Sequence, residues 1–215
     1  AHTGEAKGAR GLSAFIVTPD IDGFEVVERL QTIAPHPLGK LRFTDMRVHK
    51  SAMIGAPGQG FKIAMAVLDV FRWTVAAEAL GFGGRALVVT LTRVTTRHIQ
   101  NAPLFDLQMV KGHIADMAMD VDASALLIYR AAWTKDTGVP RVTREAAMAK
   151  LFSTDQAQLV IDRAVQLHGG DGVRSGSKVE ELYRDIRALR IYEGASDVQR
   201  LVIARQTLDL FRGAV

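Results

Sequence analysis

Cysteine is absent from the 215 residues. That excludes thiolate zinc sites, thiol nucleophiles, iron–sulfur clusters and disulfide frameworks. It is compatible with the cytosol, and a cytoplasmic location is the expectation. No run of about 18 apolar residues occurs, so no membrane span is expected. Residues 1–11 hold six Gly or Ala, and no apolar core follows a basic start; no secretory signal is expected there. Charge of one sign is scarce as well. The 27 basic and 23 acidic residues leave +4, and the two signs are interleaved. There is no basic block and no aromatic–basic stripe of the kind that tracks a phosphate backbone, so no nucleic-acid partner is expected. Aromatics make up only 7%, but hydrophobic residues reach 48% and charged ones 23%. Those are the proportions of a globular chain with a sizeable core.

Proline is scarce and unevenly placed: four of the six fall within the first 57 residues. Apolar runs there are short (Leu12 to Val17, Phe24 to Val27, Leu41 to Val48) and are flanked by Pro, Gly or Asp. This punctuation predicts antiparallel strands and turns. Leu41-Arg42-Phe43-Thr44 alternates as a half-exposed strand would. Three or four strands are too few for a closed barrel, so part of a sheet is expected.

From Gly60 the period becomes helical. Ile63, Val67, Val70, Phe71, Val75, Ala79, Phe82, Ala86 and Val89 carry it toward His98. Gly81, Gly83 and Gly84 interrupt this helix, which predicts close approach of another helix or a ligand. Further helices are predicted from about Asp106 to Thr137, from after Thr143 to Gly169-Gly170, from about Lys178 to Ile191, and from an N-cap at Ser196 or Asp197 to about Arg212. The fold class is therefore mainly α: a helical bundle over residues 58–215, preceded by a partial antiparallel β-domain over residues 1–57. Val121, Ala125, Ile128 and Ala132 suggest more apolar face than one four-helix core needs, and so self-association.

Several catalytic patterns fail. Gly55 to Lys62 approaches a phosphate loop, but Phe61 stands where the lysine belongs, so a turn opening a helix is the plainer reading. No Gly-x-Ser-x-Gly elbow is present. Asp116 and Asp120 share a helix face without a Glu-x-x-His partner, so no metal site is expected. His168 reads as a packing or capping residue. One constellation stands out: Arg190-Ile191-Tyr192-Glu193-Gly194-Ala195-Ser196, between two helices. Ile191 and Tyr192 could desolvate Glu193, an environment that suits a general base. Gly194 permits close approach to the backbone; taken alone, the segment reads as an ordinary turn between two helices.

Leu182-Tyr183-Arg184-Asp185 with Ile191-Tyr192-Glu193-Gly194 and Val198-Gln199-Arg200 resembles the C-terminal signature of acyl-CoA dehydrogenases. So do Gln166-Leu167-His168-Gly169-Gly170-Asp171-Gly172, Ile114-Ala115-Asp116-Met117, and the stretch from Leu41-Arg42-Phe43-Thr44-Asp45 to Gly58-Gln59-Gly60-Phe61. The motifs keep the family's order over essentially the whole chain. The resemblance covers the end of the family's middle β-domain and all of its C-terminal helical domain, without its N-terminal domain.

The resemblance implies a flavoprotein oxidoreductase of fatty acid metabolism. Glu193 would take the α-proton of an acyl-CoA while the β-hydrogen leaves as hydride to FAD. One branch of the family carries the base directly before the arginine of the long helix; Phe71 stands there, before Arg72. Asp69, Arg72, Phe61, Ile191, Tyr192 and Gly194 match substrate positions. Arg97, Gln166, Gly169, Gly170 and Asp197 match FAD positions, Arg97 reaching the diphosphate of a neighbouring subunit. Gln100, Asn101, Ala195 and Asp197 depart from the family's residues at their positions. An acyl-CoA substrate, electron-transfer flavoprotein as electron acceptor and a homo-oligomer, dimer or tetramer, are the implied partners. The alternative is a catalytically incomplete helical assembly module of that family.

Overall fold

The computed structural model describes residues 1–4 and 6–214, which form two compact units with the division between Leu68 and Asp69. In the first unit β1 (Ala14–Phe15) pairs antiparallel with β4 (Met53–Ile54), and β2 (Phe24–Leu30) with β3 (Leu38–Phe43). These are separate two-stranded ribbons, where part of one sheet was expected. The alternation in β3 also misleads: Leu41 and Phe43 are exposed together with Arg42. Alternation promises a buried face only when a second layer covers it. The Phe24 and Phe43 rings pack on each other across the ribbon, 5.7 Å apart.

The helices follow the periodicity closely: α1 (Gly60–Thr96), α2 (Gln108–Asp136), α3 (Thr143–His168), α4 (Lys178–Leu189) and α5 (Ser196–Ala214). A short hairpin, β5 (His98–Ile99) with β6 (Ala102–Pro103), joins α1 to α2. Its two turn residues, Gln100 and Asn101, have φ of 50° and 66°. A two-residue hairpin turn of the primed type needs left-handed backbone at both positions, and asparagine tolerates it well. Ion pairs fix the helix directions. Arg163 on α3 meets Asp120 (2.8 Å) and Asp116 (3.5 Å) on α2, while Arg130 on α2 meets Glu145 on α3. Those helices therefore run antiparallel. Asp69 and Arg93 on α1 bond Thr143 and His168 at the two ends of α3, so α1 and α3 run parallel.

The core lies between α1, α2, α3 and α4: Val75, Ala79, Ala86, Met117, Ala157, Ile161, Leu182, Ile186 and Leu189, among others. A second cluster joins Ala76, Ile128, Ala131 and Ala149. Alanine at so many contacts lets the helices approach closely. Of Gly81, Gly83 and Gly84, which interrupt α1, only Gly83 has that role, since a Cβ there would lie 3.7 Å from Ala157 and Val121; Gly81 and Gly84 face open space. The stripe Val121, Ala125, Ile128, Ala132 turns toward the interior, because Val121 and Ile128 pack into the two core clusters. The exposed apolar side chains of α2 instead include Met119, Leu126, Tyr129 and Trp133, and those of α5 include Leu201, Leu208 and Phe211. Among the described residues no helix is long and apolar enough to cross a membrane.

Candidate active site

The segment between α4 and α5 is a tight turn in which Glu193 and Gly194 are both left-handed, with φ of 55° and 90°. Glycine adopts such backbone freely; for glutamate it costs roughly 1–3 kcal/mol and needs support from its surroundings. Three helices supply that support. From α1, the buried Arg72 donates its Nε to the Glu193 carbonyl at 3.4 Å. From α5, the buried Gln199 donates Nε2 to the Glu193 carbonyl (3.2 Å) and to the Gly194 carbonyl (2.9 Å). From α3, the buried Lys150 donates Nζ to the Gly194 carbonyl at 2.9 Å.

The flanks of the turn are tied to α3 as well. Asp155 accepts from Arg190 Nε and Ser196 Oγ, both at 2.8 Å, and from Arg200 at 3.0 Å. Ser196 thus donates its hydroxyl to Asp155, and it is the first residue of α5, where Ser196 or Asp197 was expected as the cap. Within this scaffold the Glu193 Oε2 is buried and has no hydrogen-bond partner among the described residues. Tyr192 is half-buried, and its hydroxyl donates to Glu78 at 3.4 Å. Burial first, then the Glu78 and Glu193 carboxylates, push the phenol up to about 12, so it stays protonated. Ile191 is 58% exposed and offers Glu193 little of the expected shielding.

Arg72 sits between two acidic groups. Burial pushes its guanidinium down, while Asp69 and Glu193 favour its charge. Asp69 is itself buried and fully engaged, with Arg141 ion-paired to Oδ2 and Thr143 Oγ1 3.0 Å from each oxygen. Lys150 is pushed down to about 8, mainly by burial; Asp155 and Glu193 oppose the change, and Arg72 and Arg190 add to it. Folding with a lysine whose pKa falls from 10.5 carries a cost at neutral pH. The cost is fully present below about pH 8 and fades toward pH 10.5, where the unfolded lysine also loses its proton. By linkage it is about 3 kcal/mol. Urea unfolding of Lys150→Met is therefore expected to give a midpoint at or above wild type at pH 7. That advantage should shrink between pH 8 and 10; an advantage that grows over this range would contradict the assignment.

A second group of candidates meets at the other end of the bundle. Arg93, Arg97, Ile99, Leu104, Gln166, Leu167, His168, Gly169 and Gly170 line a cavity of about 320 Å³. Arg93 pairs with Asp171 at 2.8 Å, but its buried Nε has no partner among the described residues. His168 caps its own helix, Nδ1 lying 2.7 Å from the Ala164 carbonyl. Asp197 stands outside this cavity, with a side chain 96% exposed and paired to Arg200. Asp116 and Asp120 share Arg163 and serve the α2–α3 contact. No group of three His, Asp or Glu suited to a metal occurs among the described residues.

The family profile described as "Acyl-CoA dehydrogenase, C-terminal domain" matches residues 58–208. The chain belongs to the acyl-CoA dehydrogenase family. It is 38% identical over 99% of its length to the mitochondrial short-chain specific acyl-CoA dehydrogenase of Rattus norvegicus, covering 52% of that protein. It is equally 38% identical to the acryloyl-CoA reductase (NADH) of Anaerotignum propionicum, over 97% of its length and 53% of that protein. Among solved structures, butyryl-CoA dehydrogenase from Megasphaera elsdenii superimposes with a TM-score of 0.92 at 36% identity, over 97% of this chain and 55% of that one. The chain spans about half the length of the curated relatives it matches.

Of the residues expected to make an acyl-CoA dehydrogenase site, the structure brings Glu193, Gly194, Tyr192, Arg72 and Asp69 into one network, and Arg97, Gln166, Gly169 and Gly170 into one cavity. Phe61 belongs to the other unit and is exposed. Lys150, Asp155 and Gln199 escaped the sequence reading of the site. Lys150 had a signal: it occupies the stripe Ala146, Lys150, Ser153, Ala157, Ile161, Ala164, whose other members are small or apolar and buried. A charged residue on a buried stripe is a departure that the helical period exposes.

The cavity suits an anionic dinucleotide. Arg97 is exposed and its side chain makes no hydrogen bond or ion pair among the described residues, and the Arg93 Nε is unpartnered. A Cβ at Gly169 or Gly170 would meet nothing within 4 Å, so backbone is open to approach there. Guanidinium donors beside approachable backbone fit a diphosphate.

Proposed function

We propose that this protein is a flavin-dependent acyl-CoA dehydrogenase in which Glu193 removes the α-proton of an acyl-CoA thioester. The observation that carries the reading is the Glu193 carboxylate itself: Oε2 buried, unpartnered, and mounted on a left-handed turn held by three helices. A carboxylate with no donor of its own is free to accept a proton. The Glu193 backbone N–H is offered to the thioester oxygen, where negative charge develops as the α-proton leaves. Phe71 has no group that could take that proton. When bound, FAD supplies the acceptor for the β-hydrogen, which departs as hydride as the Cα–Cβ double bond forms. Arg97, Gln166, Gly169 and Gly170 would hold its diphosphate. Asp197 is left out of this set, since a carboxylate repels a diphosphate. Tyr192, Gly194 and Ile191 are the proposed acyl-pocket residues. Asp69 acts toward CoA only through Arg141, because both its oxygens are taken. Electron-transfer flavoprotein is the proposed electron acceptor, and fatty acid metabolism the setting.

The test is the colour of the purified protein and its response to substrate. A flavin spectrum that bleaches anaerobically on adding an acyl-CoA supports the enzyme. A protein that binds no flavin supports the second reading, a helical assembly module without independent catalysis. One feature favours that alternative: the rise from Arg72 to Arg93 along α1 is about 32 Å, so one chain holds the base and the diphosphate cavity far apart.

That separation also supports a homo-oligomer, with the cavity of one copy serving the base of another. The exposed Met119, Leu126, Tyr129 and Trp133 of α2 offer an apolar face for it. Sedimentation at micromolar concentration is expected to show a dimer or tetramer. A single species of the 23.4 kDa chain mass would contradict the proposal.

A further inference from the structure

Lys150 is the bulkiest fully buried side chain among the described residues. Among those residues its Nζ makes one hydrogen bond, to the Gly194 carbonyl. That carbonyl already accepts from Gln199 Nε2 at the same distance, 2.9 Å. The lysine is therefore not needed to satisfy it. A buried ammonium that lacks a carboxylate in ion-pair contact is costly to keep, and an apolar side chain of similar length would fill the same space on α3.

The way the donors are shared out suggests what offsets that cost. Two buried cations approach the base-carrying turn from different helices, Arg72 from α1 and Lys150 from α3. Each spends its bond on the main chain, on the consecutive carbonyls of residues 193 and 194. Neither bonds the Glu193 carboxylate, whose Oε2 stays unpartnered. The backbone of the turn is fixed while its proton acceptor is left unblocked.

Building on the reading of Glu193 as the base, we propose that Lys150 is a positioning residue: by holding the Gly194 carbonyl against α3, it keeps the left-handed turn in the one orientation that aims the Glu193 carboxylate at the substrate's α-carbon. Lys150 touches no reacting atom in this account. It acts through the peptide that follows Glu193. The groups facing it are Arg72 on α1, Asp155 on its own helix, and Arg190 and Glu193 in the segment that joins α4 to α5.

The experiment compares Lys150→Met and Lys150→Arg with wild type and with Glu193→Gln, in the FAD-loaded protein. The single-turnover rate of flavin bleaching by butyryl-CoA is expected to fall about 10–100-fold in Lys150→Met, the scale of a misplacement of about 1 Å. The Kd of butyryl-CoA should stay within a few-fold, and the urea midpoint at pH 7 at or above wild type. Lys150→Arg should recover part of the rate, because it keeps a cationic donor. Independently of activity, amide hydrogen exchange in Lys150→Met should quicken in the peptide covering residues 190–196 and stay unchanged along α3. Bleaching within twofold of wild type, or unchanged exchange in that peptide, overturns the proposal. So does a loss of rate with a lowered urea midpoint and faster exchange along α3, which would mark a merely structural lysine. If Glu193→Gln is slow while Lys150→Met is not, the positioning role alone falls. If Glu193→Gln bleaches like wild type, the reading of Glu193 falls, and the positioning role with it.

Discussion

Glu193→Gln is expected to slow acyl-CoA-driven bleaching of the flavin by about 10²–10⁴-fold, the usual contribution of a positioned general base. The amide has the shape of the acid but accepts no proton at neutral pH. The turn that carries it is held through main-chain carbonyls, by Arg72, Lys150 and Gln199. None of those bonds involves the Glu193 side chain, so the substitution leaves them in place. Its Oε2 has no partner to lose. Binding of flavin and of acyl-CoA, and the urea midpoint, should therefore match wild type closely. Stopped-flow bleaching under anaerobic conditions checks the rate, and a variant that bleaches at the wild-type rate removes Glu193 from the reaction.

Gly194→Ala should be far more damaging to the fold than an ordinary glycine substitution. At φ 90° an L-residue is strained. A Cβ there would also lie 2.3 Å from Gln199 Nε2. That nitrogen is the far end of a side chain, but Gln199 is fully buried and bonded to two carbonyls, so it cannot move aside without losing both. Strain of roughly 1–3 kcal/mol and two bonds lost at about 1 kcal/mol each predict a loss on the order of 3–5 kcal/mol. Gly138→Ala is the matched control. Its φ is 82°, but a Cβ there meets nothing within 4 Å, so it should cost only the backbone strain. Equal urea midpoints for the two variants would show that the Gln199 contact carries no weight.

The helical half of the molecule was legible because its period is carried by many residues at once. Apolar positions from Ile63 to Val89 fix α1 without any single one being decisive. Glu193 and Gly194 were legible because an acid beside a glycine between two helices is a local pattern. The supports of that turn were not. Lys150, Asp155 and Gln199 lie 43, 38 and 6 residues from Glu193, and nothing in their own neighbourhoods says that they converge on it. Lysine and aspartate read as surface until the buried stripe of α3 is traced. The exposed face of α2 was misplaced for a related reason. Val121 and Ile128 and the pair Leu126 and Trp133 make equally apolar stripes, and only the packing of α1 and α3 decides which is covered. In the first unit, the alternation of Leu41 and Phe43 promised a buried face that no layer within that unit supplies.

Exchange of the α-proton of butyryl-CoA with deuterated water, followed by proton NMR, tests the role of Glu193 most directly, because it reads proton abstraction apart from the electron transfer that follows. The FAD-loaded wild-type protein should wash deuterium into the α-position, and Glu193→Gln should do so at least about 10²-fold more slowly. Exchange at the wild-type rate in Glu193→Gln would contradict the account, since the proton would then be leaving to some other group.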